Sequence, residues 1–196
     1  MNHLSPTRVA QTFFDTVIRA DWHGAVALAD PAGLETWRRG ELAFLAAEAE
    51  FLAHWPDRPL GGTLTSVPTD EAVVAARLGA HGAIIVPGLT PRTTLAELVA
   101  FPASRLLAMY FQLTASLRMA SDSAPGPHIV GETIENDTDA FVVYRWHGAG
   151  WPKEPQEASI LRLHHRGAAG WRYVPTPDLG SPCFAHALLW AADNPS

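Results

Sequence analysis

Cysteine, lysine and long apolar runs are the scarcest features of this 196-residue sequence. Its one cysteine, Cys183, cannot form an intrachain disulfide, and a lone thiol excludes the zinc and iron–sulfur sites that need several cysteines. No run approaches the roughly 20 apolar residues of a membrane-spanning helix. The first residues also lack the basic and then apolar segments of a signal peptide. We therefore expect a cytoplasmic protein that does not bind membranes.

Charged residues are also few: they make up 17% of the chain, which carries a net charge of −6. A nucleic-acid-binding protein needs a basic patch. The arginines here are scattered, and a solvated helix face explains the only adjacent pair, Arg38 and Arg39. Nucleic acid is therefore excluded as a partner. Because 47% of the residues are apolar, the chain can build a sizeable core, and we expect a single domain over residues 1–196.

Motifs of the common catalytic classes are missing from the sequence. The single lysine lies between Pro152 and Glu154, so the chain has no phosphate-binding Gly-Lys-Ser/Thr loop. Neither a G-x-S-x-G nor an H-E-x-x-H motif occurs. The nine histidines never repeat at a spacing of two or four residues, and the adjacent His164 and His165 point to opposite faces of a strand. The sequence therefore predicts neither a metal site nor a cofactor.

Helical signals dominate the first half of the chain. Ser5 before a proline predicts a capped helix start, and Asp21 predicts the cap of a second, short helix. A third helix is expected over Gly33–Trp55, with a break at Gly40 left open, and helical spacing returns from Thr94 to about residue 121. The intervening segment 57–91 is atypical, because its short apolar runs fit a strand or a helix.

The second half changes from helical spacing to alternation, which is typical of strands. Two hairpins are expected, the first from His128–Asn136 and Asp139–His147, the second from Glu157–Arg166 and Trp171–Thr176. A C-terminal tail follows over residues 177–196. Helices first and an antiparallel sheet last, with the strands mainly in 128–176, predict an α+β fold.

Several pieces of this pattern resemble the nuclear-transport-factor-2-like superfamily, which includes polyketide cyclases and ketosteroid isomerase. The matching pieces are Phe13-Phe14, Asp21-Trp22, the helix from Leu95 to Leu113, Gly131-Glu132, the strand Asp139–Arg145 and the closing Gly170–Val174. The resemblance covers about Ser5–Trp55 and Leu95–Leu179. It implies a cone fold, in which N-terminal helices pack in the concave face of a curved, mainly antiparallel sheet. It also implies a cavity at the wide end and dimerisation through the sheet.

Glu48 is the one candidate for acid–base catalysis. It falls on the same helical face as Phe44, Leu52 and Trp55, where a carboxylate loses hydration and either finds a partner or stays protonated. As a functional residue it would be a general base or acid in the cavity. As a structural residue it would pair with an arginine or lie at an exposed rim. No catalytic residue of the superfamily transfers to a position in this chain.

Aromatic residues supply the other candidates for a ligand pocket. Tyr110 lies on the apolar stripe of its helix, where it would line the pocket or join the core. Trp171 and Tyr173 share a strand face, with the same two alternatives. The candidate ligand-binding residues are Glu48, Tyr110, Tyr144, Trp146, Trp171 and Tyr173.

The sequence of the first hairpin predicts how its two strands pair and how two copies of the chain associate. A two-residue turn at residues 137 and 138 would pair Glu135 with Ala140 and place Glu132 diagonally beside Arg145. Both faces of this hairpin carry bulky apolar residues, which is expected when one face meets helices and the other a second subunit. We therefore expect a homodimer through the sheet.

Three functions remain open on this evidence. The first is a domain that binds a small apolar or amphipathic ligand, associates with itself, or does both. The second is a cofactor-independent acid–base enzyme of the isomerase, dehydratase or cyclase type that uses Glu48. The third is a protein-interaction module. The sequence favours the first, because an enzyme needs at least two convergent polar groups and only one is evident.

Overall fold

The computed structural model describes residues 4–53, 66–87, 89, 91–118, 127–145 and 158–176. Its elements, in chain order, are α1 (Pro6–Ile18), α2 (Trp22–Ala27), α3 (Pro31–Ala53), α4 (Glu71–Ala80), α5 (Leu95–Val99), α6 (Ala103–Arg118), β1 (His128–Ile134), β2 (Asp139–Arg145), β3 (Ser159–His165) and β4 (Trp171–Tyr173). A short 3₁₀ turn, Gly167–Ala169, joins β3 to β4. The four strands form one antiparallel sheet in the order β1-β2-β3-β4. The predicted α+β class is confirmed.

The described residues fall into two units. The first takes in the described residues up to Glu35 and those between Leu107 and Ser181, and therefore holds α1, α2 and the whole sheet. The second takes in Thr36–Leu106, with most of α3 and all of α4 and α5.

The predicted starts of the first two helices are confirmed. The Ser5 side chain accepts a hydrogen bond from the backbone N–H of Arg8, and proline occupies the first turn of α1. The Asp21 side chain accepts from the backbone N–H of Gly24 at 2.9 Å. Each cap pairs a backbone donor that the helix itself leaves unsatisfied.

Helix α3 is longer at its start than predicted and is not broken at Gly40. It begins at Pro31 because Asp30 caps it: the Asp30 carboxylate accepts from the Gly33 N–H at 2.7 Å. A single glycine inside a helix costs only about 1 kcal/mol, which a 23-residue helix tolerates. The described part of α3 ends at Ala53, so Trp55 lies outside the described residues.

The ambiguous segment 57–91 contains a helix in its described part. Asp70 caps α4 by accepting from the Ala72 N–H at 2.8 Å, so the first apolar run of this segment is helical. The second apolar run, residues 83–86, contains Ile85, which forms an isolated β-bridge with Thr94. Thr94 then begins α5 through a reciprocal capping box with Glu97.

The adjacent arginines of α3 do not share one solvated face, so that interpretation is wrong for one of them. Arg39 is exposed and lies 3.3 Å from the Glu71 carboxylate. Arg38 is partly buried and donates to the carbonyl of Val99 at 2.7 Å and to that of Phe101 at 3.2 Å. Arg38 therefore satisfies carbonyl groups at the end of α5 that the helix leaves unpaired.

The predicted register of the first hairpin is wrong by one residue over residues 131–134 of β1. Ala140 pairs with Ile134 rather than with Glu135. The reason is the turn: the Asn136 side chain accepts from the backbone N–H groups of Thr138 and Asp139 at 2.8 and 2.9 Å, which lengthens the connection. A shift of one residue moves side chains to the other face of the sheet, and here it moves those of residues 131–134. An irregularity between Ile129 and Gly131 shifts the register once more, so Ile129 lies opposite Tyr144.

Glu132 is the residue that this shift relocates. It pairs with Val142, on the buried side of the sheet, and its carboxylate accepts from the Thr7 backbone N–H at 2.8 Å and from the Thr7 hydroxyl at 2.6 Å. The predicted neighbour Arg145 pairs with His128 instead. Glu132 therefore ties the first turn of α1 to the edge strand β1.

One face of the sheet forms the core of the first unit. Its fully buried side chains are Ala140, Val142, Tyr144, Leu161, Leu163 and Tyr173. Helix α1 packs against β1, β2 and β4 and buries Phe13 and Phe14. The opposite face carries the paired residues Val143 and Ile160, and Ile160 is 58% exposed. The alternation of residues along the strands did not determine which face of the sheet is buried; the packing of α1 against one face determines it.

Candidate functional site

A cluster of aromatic rings lies between α1 and the sheet. The rings of Phe13 and Tyr173 have centroids 4.3 Å apart, and those of Phe14 and Tyr144 are 4.7 Å apart. Phe13 also contacts Phe111 of α6 at 5.8 Å. Tilted ring pairs at these distances stabilise a core beyond the area that they bury.

Tyr173 is the exceptional member of the cluster. Its side chain is completely buried, yet its hydroxyl has no hydrogen-bond partner among the residues that the structure describes. Burial raises the pKa of this phenol, so the hydroxyl is neutral over the physiological range. A neutral hydroxyl can donate one hydrogen bond and accept others.

The backbone holds Tyr173 rigidly in this position. Its N–H donates to the carbonyl of Leu28 at 3.1 Å, its carbonyl accepts from the N–H of Asp30 at 2.7 Å, and the residue pairs with Leu163 of β3. These bonds fix β4 between β3 and the connection from α2 to α3. The phenol therefore has little freedom to move toward another partner.

Three of the predicted pocket residues belong to this first unit and are buried. They are Tyr110, Tyr144 and Tyr173, and Phe13, Phe14 and Phe111 link their rings. Trp171 is only half-buried and packs edge-on against His165, with ring centroids 4.9 Å apart. Trp146 and Cys183 lie outside the described residues.

Glu48 belongs to the second unit, so the structure does not assign it to the same unit as the aromatic cluster. Its expected position on a buried helical face is observed, because its side chain is 5% exposed. Glu41, two turns earlier on α3, is 2% exposed, and sequence reasoning did not single it out. Neither glutamate is without an interaction partner. The burial of Glu48 therefore does not by itself distinguish a general base from a structural carboxylate.

The ion pair of Asp30 and Arg166 is the charged feature that sequence reasoning missed. Asp30 is 2% exposed, and both of its oxygens receive hydrogen bonds from the Arg166 guanidinium, the one to Oδ2 at 2.8 Å. These bonds hold the pKa of Asp30 below its ordinary value of 3.8. Asp30 before Pro31 signals a helix cap, but no local pattern indicates a partner 136 residues away.

The described residues offer neither a metal-binding cluster nor a membrane-spanning helix. Within the described ranges, no group of three or more histidine, cysteine, aspartate or glutamate residues is placed to hold a metal ion. His164 and His165 face opposite sides of the sheet, as predicted, because they pair with Arg172 and Trp171 respectively. No described helix has both the length and the apolar character needed to cross a bilayer.

Comparisons with protein-family models, with curated proteins and with solved structures found no match to this chain. The resemblance to the nuclear-transport-factor-2-like superfamily therefore remains a prediction from the residues that suggested it.

Proposed function

We propose that this chain binds a small, largely apolar or amphipathic ligand beneath its sheet, as a member of the nuclear-transport-factor-2-like type with a cone-shaped fold. The observation that carries this proposal is the Tyr173 hydroxyl, a fully buried polar group for which the described residues offer no hydrogen-bond partner.

An unpaired buried hydroxyl raises the free energy of the folded protein, so a ligand that forms a hydrogen bond with it is bound favourably. A buried polar group without a hydrogen bond costs about 1–3 kcal/mol, and the great majority of such groups in folded proteins are paired. A phenylalanine, like Phe13 beside it, would fill the place without this penalty. A ligand that bonds to the hydroxyl removes the penalty, so recognition is concentrated at Tyr173.

The surroundings of Tyr173 define the class of ligand. The Phe13 ring lies next to Tyr173, and Phe111 lies next to Phe13, so the neighbouring groups are aromatic and suit an aromatic or aliphatic body. The neutral phenol suits one hydroxyl or carbonyl group on the ligand. A charged group is unsuitable here, because it would lose its hydration without an opposite charge to compensate.

Two probes that differ in one hydroxyl test the proposal. We expect the protein to bind 2-naphthol about tenfold more tightly than naphthalene, the difference of one hydrogen bond, as followed by the fluorescence of the probes. Tyr173→Phe should bind both probes equally. Tyr144→Phe is the matched control, because it removes a second buried phenol of the same sheet face, and it should keep the preference.

The stability of the ligand-free variants provides a second readout. Tyr173→Phe removes an unpaired hydroxyl, so its midpoint of unfolding in urea should equal or exceed that of the parent protein. Loss of stability in Tyr173→Phe would show that the hydroxyl already has a partner. That result, or a preference for 2-naphthol that survives the substitution, would overturn the proposal.

A second proposal is self-association through the outer face of the sheet. It is supported by Ile160, which is 58% exposed beside Val143 at the centre of that face. If two copies meet there, Ile160→Thr should lower the mass measured by light scattering to that of the monomer. Ile134→Thr is the control, since Ile134 is 55% exposed but lies on the other face of the sheet. A monomeric parent protein at tens of micromolar would contradict this proposal.

A further inference from the structure

A groove of about 520 Å³ lies where α2 ends, α3 begins and β4 follows the 3₁₀ turn. Its lining residues are Ala27, Ala29, Pro31, Ala32, Arg166, Ala169 and Arg172. Five of the seven are alanine or proline, and the other two are arginines. The groove thus combines small apolar walls with two guanidinium groups.

The ion pair with Asp30 occupies only some of the hydrogen-bond donors of the Arg166 guanidinium. Its Nε and Nη2 donate to the carboxylate of Asp30, whereas its Nη1 makes no hydrogen bond to any residue in the described part of the chain. About a third of the side chain, 37%, is exposed. Arg166 therefore has donors left for a molecule in the groove.

Arg172 carries a charge that no described carboxylate neutralises. Its Nη1 donates to the carbonyl of Ala27 at 2.6 Å, and this is the one hydrogen bond of the Arg172 side chain within the described ranges. The groove therefore holds two guanidinium groups against the single carboxylate of Asp30. The net charge of these three groups is +1.

We infer that this groove is a binding site for a small carboxylate with a short apolar body. Guanidinium groups bind carboxylates through paired, charge-assisted hydrogen bonds, and one carboxylate neutralises the remaining charge of Arg172. The alanine and proline side chains contact the apolar body. The volume lies within the roughly 300–1,000 Å³ of ordinary small-molecule sites.

This site is separate from the one proposed at Tyr173. Arg172 and Tyr173 are consecutive residues of β4, so their side chains point to opposite faces of the sheet. The ligand classes also differ, because the groove requires a negative charge that the buried phenol disfavours. Either site can fail without the other.

Hexanoate and hexanamide test the inference, because they have the same carbon skeleton and differ in charge. We expect hexanoate to shift the NMR signals of the Ala27, Ala32 and Ala169 methyl groups in a saturable way. Hexanamide should bind at least tenfold more weakly. Arg172→Gln should weaken hexanoate binding at least tenfold.

Arg162→Gln is the matched control for that variant. Arg162 is an arginine on the same face of the sheet, but it pairs with Asp139 at 2.8 Å and does not line the groove. Hexanoate binding should therefore be unchanged in Arg162→Gln. Equal binding of the amide, equal losses in the two variants, or no saturable shift at these methyl groups would overturn the inference.

A second variant blocks the groove without touching either guanidinium. Ala32 is exposed on the first turn of α3, so Ala32→Phe places a ring in the groove and should abolish hexanoate binding while the fold is retained. If Ala32→Phe still binds hexanoate with the parent affinity, the molecule binds elsewhere and the inference is wrong. This variant also decides the question if Arg172→Gln fails to fold.

Discussion

Asp30 and Arg166, 136 residues apart in the chain, form an ion pair in which both carboxylate oxygens receive a hydrogen bond from one guanidinium. The same carboxylate caps α3 through the N–H of Gly33, and the backbone N–H of Asp30 bonds to the Tyr173 carbonyl. The Asp30 side chain thus joins the start of α3 to the turn between β3 and β4, and the Asp30 backbone joins the same point to β4. The side chain also places Arg166 at the groove described above.

Asp30→Asn tests the contribution of this pair to stability. Asparagine can still cap the helix but cannot neutralise the guanidinium. We expect the free energy of unfolding at pH 7 to fall by about 2 kcal/mol, because bonds to a charged group are lost. Urea denaturation measures this change. Asp139→Asn is the control, since Asp139 pairs with the exposed Arg162, and it should lose clearly less.

The contribution of the Asp30–Arg166 pair to the free energy of unfolding should depend on pH. Arg166 holds the pKa of Asp30 in the folded protein below its ordinary value of 3.8. The folded state therefore binds the proton less readily than the unfolded state, so this stabilisation is complete above about pH 5. It is lost as the pH falls below 3.8 toward the pKa of the folded state. The gap between the parent protein and Asp30→Asn should narrow from pH 7 to pH 3, and a constant gap would contradict this assignment.

Glu132→Ala tests the link between α1 and the edge strand. The substitution removes the bonds from the Thr7 N–H and hydroxyl, so we expect a loss of about 1 kcal/mol in the free energy of unfolding, the usual effect of losing a helix cap. Glu135→Ala removes an exposed glutamate just beyond the same strand and should change stability by less than about 0.5 kcal/mol. Equal effects of the two substitutions would count against the register described here.

Arg38→Ala tests the support of α5 by α3. It removes two charge-assisted hydrogen bonds to the carbonyl groups of Val99 and Phe101, and we expect a loss of about 2 kcal/mol. The neighbouring variant, Arg39→Ala, removes an exposed ion pair and should cost no more than about 1 kcal/mol. Chemical denaturation distinguishes the two. Similar values would mean that Arg38 is as solvated as Arg39.

Glu48→Ala tests whether the buried carboxylate of α3 supports the fold. Because Glu48 is buried and has a partner, its removal leaves that partner unsatisfied, and we expect a loss of about 1–3 kcal/mol. For a chain of this length each kcal/mol lowers the melting temperature by about 2–4 °C. Glu35→Ala, at an exposed position of the same helix, should leave it unchanged. A gain of stability in Glu48→Ala would show that the carboxylate is merely tolerated.

Local patterns predicted local structure well. Ser5 and Asp21 cap the helices they were expected to cap, since a cap is formed by a side chain and a backbone group three residues apart. Glu48 lies on a buried helical face because the spacing of apolar residues along a helix fixes which positions share a side. The switch to alternation after residue 127 predicted strands, and the α+β class followed from the order of these elements.

Contacts between distant segments could not be read from the sequence. The Asn136 side chain lengthened a turn by its own hydrogen bonds, and this moved Glu132 to the opposite face of β1. Arg38 and Arg39 are identical in type and adjacent, yet only the position of α5 decides that one is exposed and the other caps a helix.

In the candidate sites, too, the sequence predicted local structure and only the fold decided the contacts between distant segments. The sequence by itself determined that Tyr173 lies on a strand and shares a face with Trp171, because alternation is a property of the backbone. Only the tertiary structure decided that Tyr173 is the fully buried one and that its hydroxyl lacks a described partner. Likewise, the sequence predicted a helix from Gly33 onward, whereas only the fold decided that Asp30 caps this helix and that Arg166 pairs with Asp30. Burial and ion pairing depend on which segments meet in space, and no local spacing encodes that.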